Sequence, residues 1–142
     1  MPIVHQLRDL PAWALELLET TPVAHLGLLD ADGHPRVQPV TFARVADTLV
    51  TAIDAKPKKH GVPARVARLR ADPRATLTVD RYADDWTQLA WVQVLAAARV
   101  TDLHDEARHA LEAKYAQYAT TPLTGPLITL APFRILCWRA SG

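Results

Sequence analysis

The sequence predicts an α+β fold, a small closed antiparallel barrel of six strands with helices at its ends. Three observations predict it: hairpin-like strand pairs split by turn residues, one strand-helix-strand excursion over residues 48 to 82, and one late amphipathic helix. At 142 residues with 49% apolar residues the chain is one domain, 1 to 142, large enough for its own core.

The elements follow in order. Pro11 to Thr20 (PAWALELLET) places Trp13, Leu17, Ala14 and Leu18 at helical spacing, with Asp9 and Pro11 suited to the start and Thr21-Pro22 to the stop. Val23 to Leu29 reads as a strand, and Asp30-Ala31-Asp32-Gly33 is a strong turn signal. His34 to Arg44 then reads as the returning strand. Pro35 and Pro39 lack an amide donor, so it is either an edge strand or broken at the prolines. A break frees backbone groups near Val37, Gln38 and Val40 for a planar, hydrogen-bonding ring; the plainer alternative is a turn at Pro35 and a bulge at Pro39.

Val45-Ala46-Asp47 turns into a third strand, Thr48 to Ile53, and Ala64 to Ala71 reads as a helix whose stripe is Val62, Val66 and Leu69. That spacing leaves Arg65, Arg68 and Arg70 mostly outward. Ala75 to Tyr82 alternates as a fourth strand. Trp86 to Val100 is strand or helix by periodicity, and its Trp, Val and Thr content favours a strand. Asp105 to Tyr118 is the clearest helix, Thr120 to Pro126 a loop, and Ile128 to Leu130 with Phe133 to Trp138 a last strand interrupted by Pro132.

Charge is the most informative pattern. Of four lysines, Lys56, Lys58 and Lys59 fall within four positions on the turn between the third strand and the basic helix, in a chain whose net charge is only +1. A strand end, a helix start and clustered ammonium groups together suit a phosphate. The alternative is a solvated turn beside a solvated helix face. The near-neutral total argues against nucleic-acid binding and points to a small anionic ligand. No apolar run is long enough for a bilayer and no signal-peptide pattern opens the chain, so a soluble cytoplasmic protein is expected.

Other chemistry is not spelled. The six histidines show no metal spacing, five glycines spell no phosphate loop, and the one serine, Ser141, carries no nucleophile motif. Cys137 stands alone in an apolar run and reads as a small buried hydrophobe. Catalytic residues stay unassigned. An enzyme of this composition would lean on a bound cofactor, with the protein supplying position and electrostatics.

The stretches LGLLDADGHPRVQPVTF, LVTAIDAKPKKHG, ARVARLRADPRATLTVDRYADDWTQLAWVQVLAAARV and AKYAQY together cover nearly residues 10 to 139. They resemble the pyridoxamine 5'-phosphate oxidase-like split barrels, and within them the actinobacterial branch associated with the deazaflavin coenzyme F420. The resemblance implies a homodimer of FMN-binding split barrels with two cofactor sites at the interface. It implies that Val37, Gln38, Pro39 and Val40 lie along the ring, that Thr51, Ala52 and Ile53 end the adjoining strand, and that Lys56, Lys58 and Lys59 hold phosphate and acidic tail. Trp86 and Trp91, in the strand after RYADDW, would come from the neighbouring subunit. The implied function is hydride transfer between coenzyme F420 and a small organic substrate. FMN as cofactor, in an oxidase or reductase, and a non-catalytic cofactor-binding module are the alternatives.

Overall fold

The computed structural model describes residues 3–54 and 61–140. Its strands are β1 (Ile3–Val4), β2 (Ala24–Leu29), β3 (Pro35–Val40), β4 (Ala43–Val45), β5 (Thr48–Asp54), β6 (Arg74–Arg81), β7 (Ala90–Thr101) and β8 (Leu123–Arg139). The helices are α1 (Ala12–Thr20), α2 (Ala64–Ala71) and α3 (Asp105–Lys114). Short 3₁₀ turns cover Leu7–Asp9, Trp86–Gln88 and Ala116–Ala119. The architecture is α+β, as expected, but among the described residues the sheet has eight strands rather than six.

Strand order is β3-β2-β6-β7-β8-β5-β4, with β1 added to β8, and every pairing is antiparallel. The two ends of this path, β3 and β4, are neighbours in sequence, joined only by Thr41 and Phe42. Three Cα steps span at most about 11 Å, so the sheet must curl until its edges nearly meet. That is a barrel with a split between β3 and β4. The expected single strand from His34 to Arg44 is therefore two strands, and the break falls after Val40, not at the prolines. Pro35 and Pro39 are tolerated because β3 pairs only with β2, on one side.

Burial follows the alternation of the strands. Ala24, Leu26 and Leu28 of β2, Leu77 and Val79 of β6, and Val92, Val94 and Ala96 of β7 point into the main core, which α1 closes with Ala14, Leu17 and Leu18. β5 is buried on both faces: Leu49 and Ile53 join that core, while Val50 and Ala52 pack under Ala107 and Leu111 of α3. β5 pairs regularly with β8 from Leu49 to Ala52 and shifts register before Asp54, where it leads into the basic segment.

Three expectations need correction. Trp86 lies in a 3₁₀ turn, not in the following strand, because β7 starts only at Ala90; Asp85 caps that turn through the Thr87 amide at 3.0 Å. Pro132 does not interrupt β8, which runs unbroken from Leu123 to Arg139 and absorbs much of the expected loop from Thr120. A bulge opposite Leu95 and Ala96 takes up the proline and turns Phe133 out to solvent. The late helix ends at Lys114, since Tyr115 is extended, and Ala116–Ala119 continue as a 3₁₀ turn.

Two tyrosines after α3 staple the barrel's split. The Tyr115 phenol oxygen lies 2.8 Å from the Pro22 carbonyl and 3.1 Å from the Phe42 carbonyl, and accepts from the Phe42 amide at 3.1 Å. Tyr118 shares a hydrogen bond with the Thr41 hydroxyl, and the Tyr115 and Tyr118 rings meet edge-on at 5.7 Å. The two residues joining the sheet's edges are thus each held by a phenol.

Candidate functional site

The split opens into a groove of about 400 Å³, within the roughly 300–1,000 Å³ of small-molecule sites. One wall is Pro39, Val40 and Thr41 at the end of β3; the floor is Thr51 to Asp54 of β5; Val23, Pro63 and Arg65 complete the rim. Edge strand, buried strand and helix start converge here because β5 leaves the barrel at Asp54 and α2 re-enters beside it.

Arg65 dominates the electrostatics. It sits in the first turn of α2, where Pro63 supplies a helical start but no side-chain cap. Its Nη1 donates to Gln38 Oε1 at 3.2 Å across the groove, while its Nε is buried with no partner among the described residues. Burial pushes its pKa below the ordinary guanidinium value, opposed by the charges of Asp54 and Tyr118. Thr51, 1% exposed, likewise has a hydroxyl with no partner among the described residues. Buried polar atoms are nearly always satisfied, so two orphans around one groove mark a place for a polar ligand. A half-buried cation, an idle hydroxyl and a helix N-terminus favour one with oxygen acceptors or negative charge.

Arg65 was expected to point outward with Arg68 and Arg70. Instead it turns into the groove, and Arg68 turns back to donate from its Nε to the Leu29 carbonyl at 3.2 Å; only Arg70 stays exposed. Val62, expected in the buried stripe, precedes the helix and is exposed, leaving Val66 and Leu69 to bury it. The missed signal was spacing: Arg65 stands four residues before Leu69 and so borders the buried face.

Of the residues expected at a cofactor, Pro39, Val40, Thr51, Ala52 and Ile53 line this groove together, and Gln38 reaches it through Arg65. Val37 does not: it pairs with Gly27, is 68% exposed, and lines a separate hollow with Leu95 and Phe133. Trp86 is exposed on its turn, and Trp91 pairs with Trp138 in a hollow beside Tyr82 and Leu89; neither lines the groove of its own chain. Lys56, Lys58 and Lys59 lie outside the described residues, between Asp54 and Gly61. Cys137 is buried, and burial raises its thiol pKa, in keeping with an inert core residue. Among the described residues no three His, Cys, Asp or Glu side chains come together as a metal site, and no helix is long and apolar enough to cross a membrane.

The family model described as pyridoxamine 5'-phosphate oxidase matches residues 10–136 of this chain. No curated protein sequence matches it. Among solved structures, a heme binding protein from Mycobacterium smegmatis is 22% identical over 93% of this chain with a TM-score of 0.66; the chain spans 55% of that protein's length. A FAD-binding protein from Mesorhizobium loti is 18% identical, covering 96% of this chain and 97% of its own with a TM-score of 0.64. The heme storage protein HutZ from Vibrio cholerae is 12% identical, covering 88% and 90%, with a TM-score of 0.67. At these identities the likeness is one of fold alone.

Proposed function

The chain belongs to the pyridoxamine 5'-phosphate oxidase family, and from that premise we propose that the groove between β3 and β5 holds a flavin-type cofactor, coenzyme F420. The protein is then an oxidoreductase passing a hydride between that cofactor and a small organic substrate. One observation carries the reading: the Arg65 Nε and the Thr51 hydroxyl, both buried and unpartnered among the described residues, border the same groove.

These residues fit such a group. Arg65 is a fixed fork of donors for a phosphate or ring carbonyl, and Thr51 can donate or accept at a ring edge. Val40, Ala52 and Ile53 supply apolar walls that keep water off a planar ring, and Gln38 holds the guanidinium in place. The bound cofactor would supply the hydride chemistry; this chain's residues bind and orient it and shield it from water. No acid or base is assigned.

Lys56, Lys58 and Lys59 favour F420 over FMN. F420 ends in a phosphodiester and a polyglutamate tail, and three lysines within nine positions before Arg65 in the sequence offer more positive charge than one phosphate needs. FMN is the second reading, favoured by the FAD-binding relative from Mesorhizobium loti. A homodimer belongs to the proposal as well. Val37, Phe133, Trp86 and Trp138 leave exposed apolar surface for a second copy, which would bring Trp86 and Trp91 toward the partner's groove.

The test is an equilibrium titration of purified protein with coenzyme F420, FMN and haemin, in the native chain and in Arg65→Ala. Tighter binding of F420, weakened by Arg65→Ala, is expected. Preference for FMN or haemin overturns the cofactor, and an affinity untouched by Arg65→Ala overturns the site.

A further inference from the structure

Lys114 stands apart from the groove, at the last residue of α3. Its Nζ lies 3.5 Å from the centroid of the Phe42 ring and donates to the Leu18 carbonyl at 3.2 Å. The side chain is half-buried and borders a further hollow, of about 520 Å³, between α1, β4 and α3. Four alanines (Ala43, Ala46, Ala110, Ala113) line this hollow, and its charged groups are Lys114, Arg44 and Glu19. Arg44 Nε donates to the Ala46 carbonyl at 2.9 Å, and its Nη1 stands 3.4 Å from Glu19, a long contact for an ion pair. Two of its five N–H donors are thereby engaged.

Lys114, Arg44 and four small side chains thus border one hollow, with the Glu19 carboxylate at the same rim. We propose that Lys114 accepts acyl groups from acyl phosphates, with Arg44 holding the donor's phosphate. The unprotonated Nζ attacks the carbonyl carbon, forming the N–C bond. The C–O bond to phosphate breaks, phosphate leaves with the electron pair, and the surplus proton on nitrogen passes to phosphate or water. The products are a neutral amide and inorganic phosphate, and no oxidant or reductant is involved.

Burial pushes the Lys114 pKa down to about 8, against the pull of Glu19 on α1. The other groups on that side are Arg44 on β4 and Tyr115, whose own burial disfavours a competing phenolate. A sizeable fraction of the amine is therefore unprotonated in mildly alkaline solution. Acylation would lift the positive charge off the Phe42 ring. The proposal is independent of the cofactor assignment.

The full chain is incubated with acetyl phosphate between pH 7 and 10, and acetylation at each lysine is followed by peptide mass spectrometry. Lys56, Lys58 and Lys59 serve as internal references. At pH 8 Lys114 reacts several-fold faster than any of them, and Arg44→Gln slows it by roughly tenfold, the scale of a lost charge-assisted hydrogen bond. With acetyl N-hydroxysuccinimide, a donor without phosphate, the native chain and Arg44→Gln react equally at Lys114. Thermal melting of each variant checks that it folds, and Arg44→Lys, which keeps the charge, retains most of the acetyl phosphate rate. Lys114 no faster than the reference lysines, or an Arg44→Gln effect that is absent or the same with both donors, overturns the proposal.

Discussion

Arg65 Nη1 donates to Gln38 Oε1 at 3.2 Å. One bond therefore ties the start of α2 to the edge strand β3 across the barrel's split, and leaves the rest of a half-buried guanidinium facing the groove. An uncharged amide is a weak partner for such a group, so Arg65 keeps N–H donors for an anion, in competition with the attraction of the Asp54 carboxylate.

Arg65→Ala separates binding from stability. Removing the guanidinium takes away a charge-assisted contact worth about 1.5–3 kcal/mol to a phosphate, so cofactor affinity falls by one to two orders of magnitude. The folded chain loses a desolvated cation that is hydrogen-bonded to a neutral amide and attracted by the Asp54 carboxylate, so its unfolding free energy falls by less than its binding free energy. Titration beside urea denaturation measures both; a loss of stability matching the loss of affinity would make Arg65 a structural residue.

Thr51→Val has the opposite sign in the two measurements. The hydroxyl is buried with no partner among the described residues, and a methyl in its place relieves a desolvation cost of about 1–3 kcal/mol. The variant should be more resistant to urea than the native chain and bind the cofactor more weakly. Lower stability would mean that the hydroxyl is satisfied in the free protein.

Tyr115→Phe tests the staple on the split. The phenol oxygen is the hydrogen-bond partner of the Phe42 amide, and losing it strands buried backbone groups at a cost of about 1–3 kcal/mol. Urea unfolding should shift by that amount with its m-value unchanged. A neutral outcome would mean that the Thr41–Phe42 junction holds without it.

Lys114 gives a pH dependence of defined sign. Its folded pKa, about 8, lies below the ordinary 10.5, so between those values the unfolded chain binds more protons than the folded one. The stability of the native chain relative to Lys114→Met is lowest below about pH 8 and rises as pH climbs from there toward 10.5. Urea melts of both proteins at pH 7, 8 and 9.5 measure the difference. A flat or falling difference would show that the Phe42 ring and Glu19 hold the cation as well as water does.

Much of this molecule was legible from local pattern. Pro11 and Thr21-Pro22 bound α1, Asp30 to Gly33 make a turn in which the Gly33 amide donates to the Asp30 carbonyl, and the alternation of Leu77 and Val79 marks β6. Val40 was expected beside a ligand because it flanks a strand break, a local feature too, whereas Pro39 and the Thr51–Ile53 run were implied by the family resemblance; all of them line the groove. Where the expectations failed, a distant partner had decided the outcome. Pro132 sits inside β8 because β8 bulges at Phe133 against Leu95 and Ala96 of β7, and Arg65 turns inward because Gln38 waits across the split.

The sequence by itself determined the α+β class, the clustering of basic residues from Lys56 to Arg74 and which strands alternate, since periodicity and turn chemistry act over a few residues. Only the tertiary structure decided that the sheet curls until β3 and β4 nearly meet, and that Arg65 and Thr51 border one groove with unpaired polar atoms. The physical reason is that strand pairing and desolvation depend on segments far apart in the chain. A residue's neighbours in sequence carry no record of which carbonyl, amide or cation will lie across from it once the barrel has closed.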